Sequence, residues 1–316
     1  MSGTNSWFIV LAGGEGKRLA GLTRALYGAD VPKQFAVLTG TRSLLQDTLE
    51  RAAALGDLTR TVVVVTRHHE QLAREQLAPY PGVHLLVQPA GLDTGPGMLL
   101  PLAYVRAREP SARVVVLPAD HHLPNVEPLR RALRDAASHR ASRGRVTLIG
   151  VHADRAETEY GWIVPGVRLA GRDRDTVWSV RRFVEKPAEP IAERLRARGA
   201  VWNTFMATGP VAAFWGLARP RVPEQVRAFE QWAARLDEPG ADDRLRAVYA
   251  ELRPSNWSVD VLSDVPPGRL ALVSMSGSGW SDWGCPRRVF ASMHGTPALE
   301  SLLARVTGPV PVIAAA

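Results

Sequence analysis

The stretch WFIVLAGGEGKRL, residues 7–19, joins a short apolar run to a glycine-rich loop. The apolar run, residues 7–12, has the length of a β-strand, and three glycines follow it within four positions: Gly13, Gly14 and Gly16. Lys17 and Arg18 come next. Glycine lets backbone N–H groups approach an anion closely, and the two cations neutralise its charge. The stretch therefore predicts a strand that ends in a phosphate-binding loop.

The first half of the chain alternates strands with amphipathic helices. Valine-rich runs predict strands over 7–12, 61–66, 83–88, 113–117 and 146–151. Helical spacing of apolar residues predicts helices over 43–55, 68–77, 98–108 and 128–139. Single helices between strands indicate βαβ units, so the predicted class is α/β with a Rossmann-like, doubly wound and mostly parallel sheet. Ligands of such sheets bind beyond the carboxyl ends of the strands, which directs attention to the loops after Ala12, Thr66, Gln88 and Leu117.

The second half of the chain is less regular. Strands are predicted over 160–166, 176–187, 201–207 and 270–275, with an Arg/Asp-rich turn between the first two. Helices are predicted over 211–219, 223–236, 242–252 and 286–305. The stretch SRGR, residues 142–145, is the best seam between the halves. We therefore expect one half over 1–145, a second and interleaved half over 146–284, and a C-terminal helical segment with its tail over 285–316.

The composition excludes several classes of protein. Apolar residues make up 46% and charged residues 22%, and the apolar runs are too short for a membrane span or a secretory signal. The single cysteine, Cys285, rules out an internal disulfide and a cysteine-built zinc site, which favours the cytoplasm. The net charge of +8 is dispersed, so we expect no nucleic-acid partner and no membrane partner. The pairs His68-His69 and His121-His122 are interpreted as loop and cap residues, because no third ligand pattern accompanies them.

Two common phosphate loops do not fit the glycine-rich stretch. A Walker A loop requires glycine where Leu11 stands and Ser or Thr where Arg18 stands. A dinucleotide-binding loop requires a third glycine where Leu19 stands. It also requires an acidic residue at the end of the second strand, which here ends in Thr66 and Arg67. The loop therefore belongs to a different kind of phosphate site.

The loop resembles that of the sugar-1-phosphate nucleotidyltransferases, LAGG-x-G-x-R-L, which that family follows with P-K. Here LAGGEGKRL (11–19) is followed by PKQF (32–35). Further stretches similar to family motifs are VLPADHH (116–122), YGWIVPG (160–166), RRFVEKP (181–187), VWNTFMATG (201–209) and GWSDWG (279–284). Their details resemble the mannose-1-phosphate guanylyltransferases more than the glucose-1-phosphate enzymes. The resemblance spans residues 7 to 291.

The resemblance implies a GT-A-like nucleotidyltransferase fold and a role for each matching position. It implies a nucleotide-binding half over 1–145 and a sugar-phosphate-binding half over 146–284. The implied catalytic cations are Arg18, Lys33 and Lys186, and Lys17, Lys33 and Lys186 are the three lysines among 39 basic residues. The implied nucleotide contacts are Leu11, Gly13, Gly14, Gly16, Lys17, Gln88 and Gly95. The implied sugar-phosphate contacts are Gly161, Glu185, Lys186 and Asn203, and the implied ligands of Mg²⁺ are Asp120 and Asp282.

The reaction implied by the resemblance joins GTP and a sugar 1-phosphate, mannose 1-phosphate above all, into a GDP-sugar with release of pyrophosphate. The nucleophile is a phosphate oxygen that is already anionic at neutral pH, so no Ser/His/Asp array is required. Positioning, magnesium and cations stabilise the charge that gathers in the transition state. A homodimer is compatible with this interpretation, and the sequence does not decide the oligomeric state.

Several positions depart from the family pattern. Phe205 stands where W-N-S-G-M places a glycine, and Asp93, Gly95 and Gly97 differ from the usual residues beside the presumed base pocket. These departures leave nucleotidyl transfer intact, and they leave three alternatives open. The chain acts on another hexose or cyclitol 1-phosphate, or it uses another nucleoside triphosphate. In the third alternative it is a non-catalytic regulatory subunit that binds nucleotide sugars.

Overall fold

A computed structural model of the chain describes residues 6–170 and 176–307, and nine strands within these residues form one sheet. The strands are β1 Ser6–Leu11, β2 Thr61–Thr66, β3 His84–Gln88, β4 Arg113–Pro118, β5 Val146–His152, β6 Gly161–Ala170, β7 Val177–Glu185, β8 Val201–Pro210 and β9 Leu270–Ser274. The predicted Arg/Asp-rich turn falls on residues 171–175, which lie outside the described residues, as do residues 1–5 and 308–316 of the predicted outer segments.

Helices cover both faces of the sheet. They are α1 Ala20–Tyr27, α2 Leu44–Leu55, α3 Glu70–Leu77, α4 Thr94–Arg108, α5 Glu127–Ser138, α6 Arg140–Arg143, α7 Glu189–Ala197, α8 Val211–Ala218, α9 Pro223–Ala233, α10 Ala241–Glu251, α11 Pro286–Ser292 and α12 Pro297–Thr307. A π-helical turn spans Trp257–Leu262. Every helix in the described residues is too short or too polar to reach across a lipid bilayer.

The strand order across the sheet is β3-β2-β1-β4-β8-β5-β9-β7-β6, and β6 also pairs with β8. Strands β1 to β4 are parallel to one another, and β5 is parallel to β9. Strand β8 is antiparallel to β4 and β5, and β7 is antiparallel to β9 and β6. Within the described residues, therefore, seven strands run one way and only β8 and β7 run the other way.

The central strand β1 shows why the sheet is covered on both faces. Phe8, Ile9 and Val10 are almost completely buried, and successive side chains of a strand point to opposite faces. Ile9 packs into the apolar cluster that contains α4 and α8, whereas Phe8 packs with residues of α5. A strand buried on both faces reads as a continuous apolar run, which is the pattern seen over residues 7–12.

The predicted α/β class with a largely parallel sheet is confirmed. The structure also contains α1, α7 and the π-helical turn, which the sequence patterns did not predict. Helix α4 begins at Thr94, four residues before the predicted start, because Asp93 accepts a hydrogen bond from the Thr94 N–H and Pro96 fits the first turn. This earlier start brings the N-terminus of α4 to the carboxyl edge of the sheet.

Candidate active site

A cleft of about 460 Å³ opens at the carboxyl ends of the parallel strands. The glycine loop after β1 lines one wall through Leu11, Gly13 and Gly14. The loops that follow β3 and β4 supply other parts of the lining: Gln88, Asp93, Thr94, Asp120 and His121. Ligands of doubly wound sheets bind at this edge, and most of the predicted nucleotide contacts meet there.

A second cleft, of about 520 Å³, lies between α4 and α9, away from the predicted site residues. Its charged side chains are paired with one another: Arg106 with Glu230, Arg108 with Asp237, and Arg235 with Glu238. It brings together none of the residues that the motifs single out, so the candidate active site is the cleft at the strand ends.

The glycine loop is pressed against the second motif, PKQF. Gly16 has a backbone φ of +65°, and a Cβ built on it would lie 2.5 Å from the backbone nitrogen of Lys33. The side-chain amide of Gln34 donates hydrogen bonds to the carbonyl oxygens of Ala12 and Gly14, at 2.9 and 2.7 Å. Gln34 therefore holds the loop in shape while its glycines keep their N–H groups available. The sequence motif contained Gln34, but the prediction gave it no role.

The wall of the cleft that the sequence predicts to contact the base is built around Gln88. A Cβ on Gly13 would lie 2.7 Å from Gln88 Nε2, and Tyr249 donates a hydrogen bond of 3.2 Å to Gln88 Oε1. Thr94 and Gly97 line the same wall, so the positive end of the α4 dipole faces the cleft. Gly95 does not line the cleft: it is buried against Ser255, whose carbonyl oxygen accepts its N–H at 2.7 Å.

Lys33 connects the two halves of the site. Its ammonium lies 2.8 Å from Asp120 Oδ2 and donates a hydrogen bond of 2.6 Å to the carbonyl oxygen of Asp282. The side chain is only 5% exposed. A buried ammonium requires such partners, and these contacts bring the two predicted metal ligands to one cation, although 162 residues separate them in the sequence.

The carboxylate of Asp282 is surrounded by hydrogen-bond donors. Tyr160 donates to its Oδ1 at 2.7 Å, the Gly284 N–H donates to the same atom at 3.0 Å, and Arg288 contacts both oxygens at 3.1 and 3.0 Å. Arg18 Nη2 lies 4.0 Å from Oδ2. Tyr160 and Arg288 were not among the predicted site residues.

Both aspartates are held in the ionised form. Burial alone would raise the pKa of Asp120, but the Lys33 ammonium and His121 hold it below its usual value. Burial likewise opposes ionisation of Asp282, whereas His121, the Tyr160 hydroxyl and Arg288 together lower its pKa. Carboxylates that stay charged at neutral pH are suitable oxygen ligands for a divalent cation.

His121 lies within the cleft rather than serving only as a loop residue. Burial lowers its pKa, so the ring is mostly neutral near neutral pH. Trp280 donates a hydrogen bond of 3.2 Å to Nδ1, which places the ring proton on Nε2, 3.6 Å from Asp120 Oδ1. The neighbouring His122 instead stacks on Trp283, with ring centroids 4.1 Å apart. The sequence identified both histidines, and only the tertiary structure separates their environments.

Predicted sugar contacts meet at the ends of β6, β7 and β8. A Cβ on Gly161 would lie 2.7 Å from Glu185 Oε2 and 3.3 Å from Asn203 Cβ, so only glycine fits between them. Burial raises the pKa of Glu185, which Lys186 opposes. Lys186 is exposed, and its backbone N–H donates to the Tyr160 carbonyl oxygen at 3.1 Å.

Four residues other than glycine take positive φ angles in the described part of the chain: two line the cleft, and the other two directly follow the predicted site residues Glu185 and Asp282. They are Asp93, Lys186, Phe205 and Trp283, with φ of 65°, 42°, 61° and 44°. Left-handed backbone costs about 1 to 2 kcal/mol for a residue with a Cβ. Such strain persists only where surrounding structure enforces it, and it concentrates at functional sites. The φ of Phe205 is one that glycine adopts without this cost.

Arg18 and Lys17 extend from the rim of the cleft. Arg18 is more than half exposed and pairs with Glu159 at 3.2 Å, and its only contact with the buried centre is the one to Asp282. Lys17 is exposed and lies 3.6 Å from Glu15. The structure therefore places both cations beside the glycine loop, without the buried contacts that fix Lys33.

The residues present fit one divalent cation that also binds substrate phosphates. Within residues 6–170 and 176–307 there is no cluster of three or more His, Cys, Asp or Glu side chains arranged as a complete metal site. Magnesium is commonly bound by one or two carboxylates together with substrate phosphates and water. Asp120 and Asp282, brought together at Lys33, are suitable for that kind of site.

Comparisons with known proteins point to one family. The sequence profile of the Nucleotidyl transferase family matches residues 8–221. The alginate biosynthesis protein AlgA of Pseudomonas fluorescens is 33% identical over 91% of this chain and 59% of its own length. The mannose-1-phosphate guanylyltransferase of Escherichia coli K12 is 32% identical over 87% of this chain and 57% of its own length. This chain thus spans less than two thirds of either relative.

A solved structure gives the same result for the fold. A crystal structure described as mannose-1-phosphate geranyltransferase from Thermus thermophilus superimposes with a TM-score of 0.75 at 32% sequence identity. The match covers 91% of this chain and 80% of the other.

Proposed function

The chain belongs to the nucleotidyl transferase family, and we propose that it joins the guanylyl group of GTP to a sugar 1-phosphate, with release of pyrophosphate. Mannose 1-phosphate is the first candidate sugar, because the relatives that cover most of the chain include mannose-1-phosphate guanylyltransferases. The proposed compartment is the cytoplasm.

The contacts of Lys33 are the observation that carries the proposal. This buried ammonium contacts the carboxylate of Asp120 and the backbone carbonyl of Asp282, and the backbone of Lys33 packs against Gly16 of the glycine loop. Lys33 thus links the glycine loop, through its backbone, to the Asp120 carboxylate and to the segment that carries Asp282. Transfer between two phosphates needs this combination, since the main barrier comes from bringing anions together.

In the proposed reaction, an oxygen of the sugar phosphate attacks the α-phosphorus of GTP. The bond from that phosphorus to the β-phosphate oxygen breaks, and pyrophosphate leaves. The N–H groups of the glycine loop bind the triphosphate, and Arg18 at the rim contacts the departing phosphates, where guanidinium pairs well with two oxygens. Lys33 neutralises charge between the two substrates, and its burial strengthens that interaction.

Members of this family use a divalent metal, and we propose that Asp120 and Asp282 hold Mg²⁺ here. Such an ion, when bound, orients the phosphate oxygens and stabilises the charge that develops on them. To hold the ion, the two aspartates must remain ionised and fixed. The lowered pKa values of both aspartates support the first requirement, and the contacts of Lys33 and Arg288 support the second.

The sugar side of the proposal rests on Gly161, Glu185, Lys186 and Asn203. Glu185 accepts hydrogen bonds from sugar hydroxyls, and the exposed Lys186 binds the sugar phosphate. Phe205 lines the cleft, and its ring fills space that a glycine would leave open. This observation favours one second candidate, the same transfer to a different hexose or cyclitol 1-phosphate.

The test is pyrophosphate release with magnesium and mannose 1-phosphate, for each of the four common nucleoside triphosphates. We expect release with GTP and little with the others. Release only with another sugar 1-phosphate, in a parallel panel of hexose and cyclitol phosphates, would establish the second candidate. Binding of GDP-mannose by calorimetry without turnover for any pair would contradict the enzyme and indicate a regulatory subunit.

A further inference from the structure

A buried arginine of α11 contacts the proposed metal ligand Asp282 from behind. Arg288 Nη1 lies 3.1 Å from Oδ1 and 3.0 Å from Oδ2 of that carboxylate. Its Nη2 lies 2.9 Å from Glu157 Oε1, and the exposed fraction of each of these two side chains is below 10%. The guanidinium also lies over the Tyr160 ring, 4.6 Å from its centroid. Arg288 is therefore fixed from three directions.

The two oxygens of Asp282 have unequal surroundings. Oδ1 accepts from the Tyr160 hydroxyl, from the Gly284 N–H and from Arg288, whereas Oδ2 accepts a hydrogen bond from Arg288 alone among the residues that the structure describes. Arg18 Nη2 is 4.0 Å from Oδ2, beyond hydrogen-bond distance. Oδ1 is thus saturated with donors, and Oδ2 retains lone-pair capacity on the side where Arg18 of the glycine loop lies.

Glu157 fixes the other end of the guanidinium. Its Oε1 also accepts the backbone N–H of Glu159 at 3.2 Å, and its carboxylate is buried together with Arg288. Because Arg288 is held at both ends, it cannot follow the Asp282 carboxylate if that group rotates. Its Nε is buried without a hydrogen-bond partner among the described residues. A geometry that tolerates an unsatisfied polar atom requires a reason other than stability.

We propose that Arg288 is a positioning residue, which, with Tyr160 and the Gly284 N–H, orients the Asp282 carboxylate so that Oδ2 binds the metal. This inference rests on the proposed function, because the metal is part of it. Partners that orient a metal ligand typically change metal affinity by about 10- to 100-fold when they are removed. Arg288 is a residue of α11, outside the stretches that the motifs singled out.

Two physical effects of Arg288 predict opposite changes in metal affinity when its charge is removed, so a binding measurement distinguishes them. As a fixed positive charge, Arg288 repels a cation, so its removal alone would strengthen metal binding. As a positioning residue, it keeps the carboxylate in the geometry that binds, so its removal weakens metal binding. The direction of the change in metal affinity therefore separates the two roles.

The experiment measures Mn²⁺ binding by the loss of the free-ion signal in electron paramagnetic resonance. The full chain is titrated in the presence of GDP-mannose and without pyrophosphate, so no turnover occurs, and the same nucleotide sugar without protein gives the baseline. The variants are R288Q, R288K and Y160F. R287Q is the matched control, because Arg287 is the exposed neighbour on the same helix.

We expect R288Q to weaken Mn²⁺ binding about tenfold. R288K should also weaken it, since one ammonium cannot reach both Asp282 oxygens and Glu157, but by a smaller factor, because the ammonium still donates to Asp282. Y160F should weaken binding in the same direction by a smaller factor, and R287Q should match the wild type. Circular dichroism and thermal melting check the fold. If R288Q fails to fold, R288K and Y160F carry the test.

Two results would overturn the inference, and they have different consequences for the proposed function. Wild-type affinity or tighter binding in R288Q, with Mn²⁺ bound by the wild type, rejects the positioning role and leaves the proposed function standing. Absence of Mn²⁺ binding to the wild-type complex rejects the metal site of the proposed function, and this inference falls with it.

Discussion

The two sides of the cleft are built in different ways. On the nucleotide side, close contacts are made where a side chain is missing. A Cβ on Gly13 would press on the Gln88 amide, and a Cβ on Gly16 would press on the backbone of Lys33. The glycines thus let two loops meet and leave N–H groups free for phosphate.

On the sugar and metal side, side chains take positions that strain the backbone. Lys186, Phe205 and Trp283 all have positive φ angles there, and Asp93 is the one residue other than glycine on the nucleotide side that shares this feature in the described chain. The Asp282 carboxylate on this side is held by side-chain contacts from Tyr160, which is distant in the sequence, and from Arg288 on the following helix.

This difference predicts how each side of the cleft responds to a substitution. A site shaped by missing atoms is damaged by adding a single methyl group. A site shaped by a network of charges is damaged by removing one charge or one donor. Substitutions of the charged residues and of the glycines should therefore have different effects.

Neutralising either aspartate should have the largest effect. We expect D120N and D282N each to lower kcat by about 10³-fold or more, because the carboxylate charge that would hold the metal is lost while the shape is retained. Steady-state assays with purified protein measure this. D237N is the control, since Asp237 is exposed and lies in the other cleft. Near-wild-type turnover in either variant would remove that aspartate from the proposed metal site.

A single methyl group tests the other side of the cleft. We expect G16A to lower kcat/KM about 100-fold and to destabilise the fold by about 2 kcal/mol, because it combines a positive φ with a contact to the Lys33 backbone. G40A is the matched control: Gly40 has φ +60°, and nothing lies within 4 Å of an added Cβ. It should lose stability and keep activity. Equal loss of activity in G16A and G40A would mean that the contact between Gly16 and the Lys33 backbone is unimportant for activity.

The nucleotide side could be predicted from sequence because its geometry is local. Three glycines directly after an apolar run predicted the loop, and the loop lines the cleft at Gly13 and Gly14. Asp120 follows a strand whose end could also be located from its apolar run, and the structure places Asp120 in the cleft. The assigned roles of these residues stay predictions, but their positions follow from strand ends and turns.

The network around Asp282 could not be predicted, because Tyr160 lies 122 residues away in the sequence and nothing in the local sequence singles out Arg288. Arg288 is one arginine among 36 (39 basic residues, three of them lysine), and no local pattern distinguishes it from the exposed Arg287. Gln34 belongs to the PKQF motif, but the motif gave no indication of its contacts with the glycine loop. Phe205 was noticed as a departure from the family, whereas its positive φ lies where the pairing of β8 with β5 shifts register, which the sequence does not reveal.

Glu185 gives a pH-dependent prediction for the sugar side. Burial raises its pKa, so the folded chain binds this proton more tightly than the unfolded chain does. Ionisation of Glu185 therefore opposes folding: the cost is absent below the ordinary value of 4.5 and complete above the raised pKa. We expect E185Q to melt at a higher temperature than the wild type at pH 7 and at the same temperature at pH 4.

The same variant should bind sugar phosphate less well. A hydrogen bond to a charged acceptor is worth about 1.5 to 3 kcal/mol, so the KM for the sugar phosphate should rise about tenfold at pH 7. E193Q, which changes an exposed glutamate of α7, is the control for both measurements. A stabilised E185Q with an unchanged KM would leave Glu185 buried but outside the sugar pocket.

The smallest effect isolates the backbone strain at Phe205. F205A and F205G both delete the ring, so they lose the same packing, but only alanine keeps a Cβ at φ +61°. We therefore expect F205G to be more stable than F205A by about 1 kcal/mol in denaturant unfolding. Alanine variants are usually more stable than glycine variants, and Arg131 on the exposed face of α5 provides the control. There we expect R131G to be less stable than R131A by about 1 kcal/mol. The usual order at both positions would mean that Phe205 carries no strain. If F205G and F205A also share a changed preference among sugar 1-phosphates, then the ring itself, rather than the strained backbone, selects the substrate.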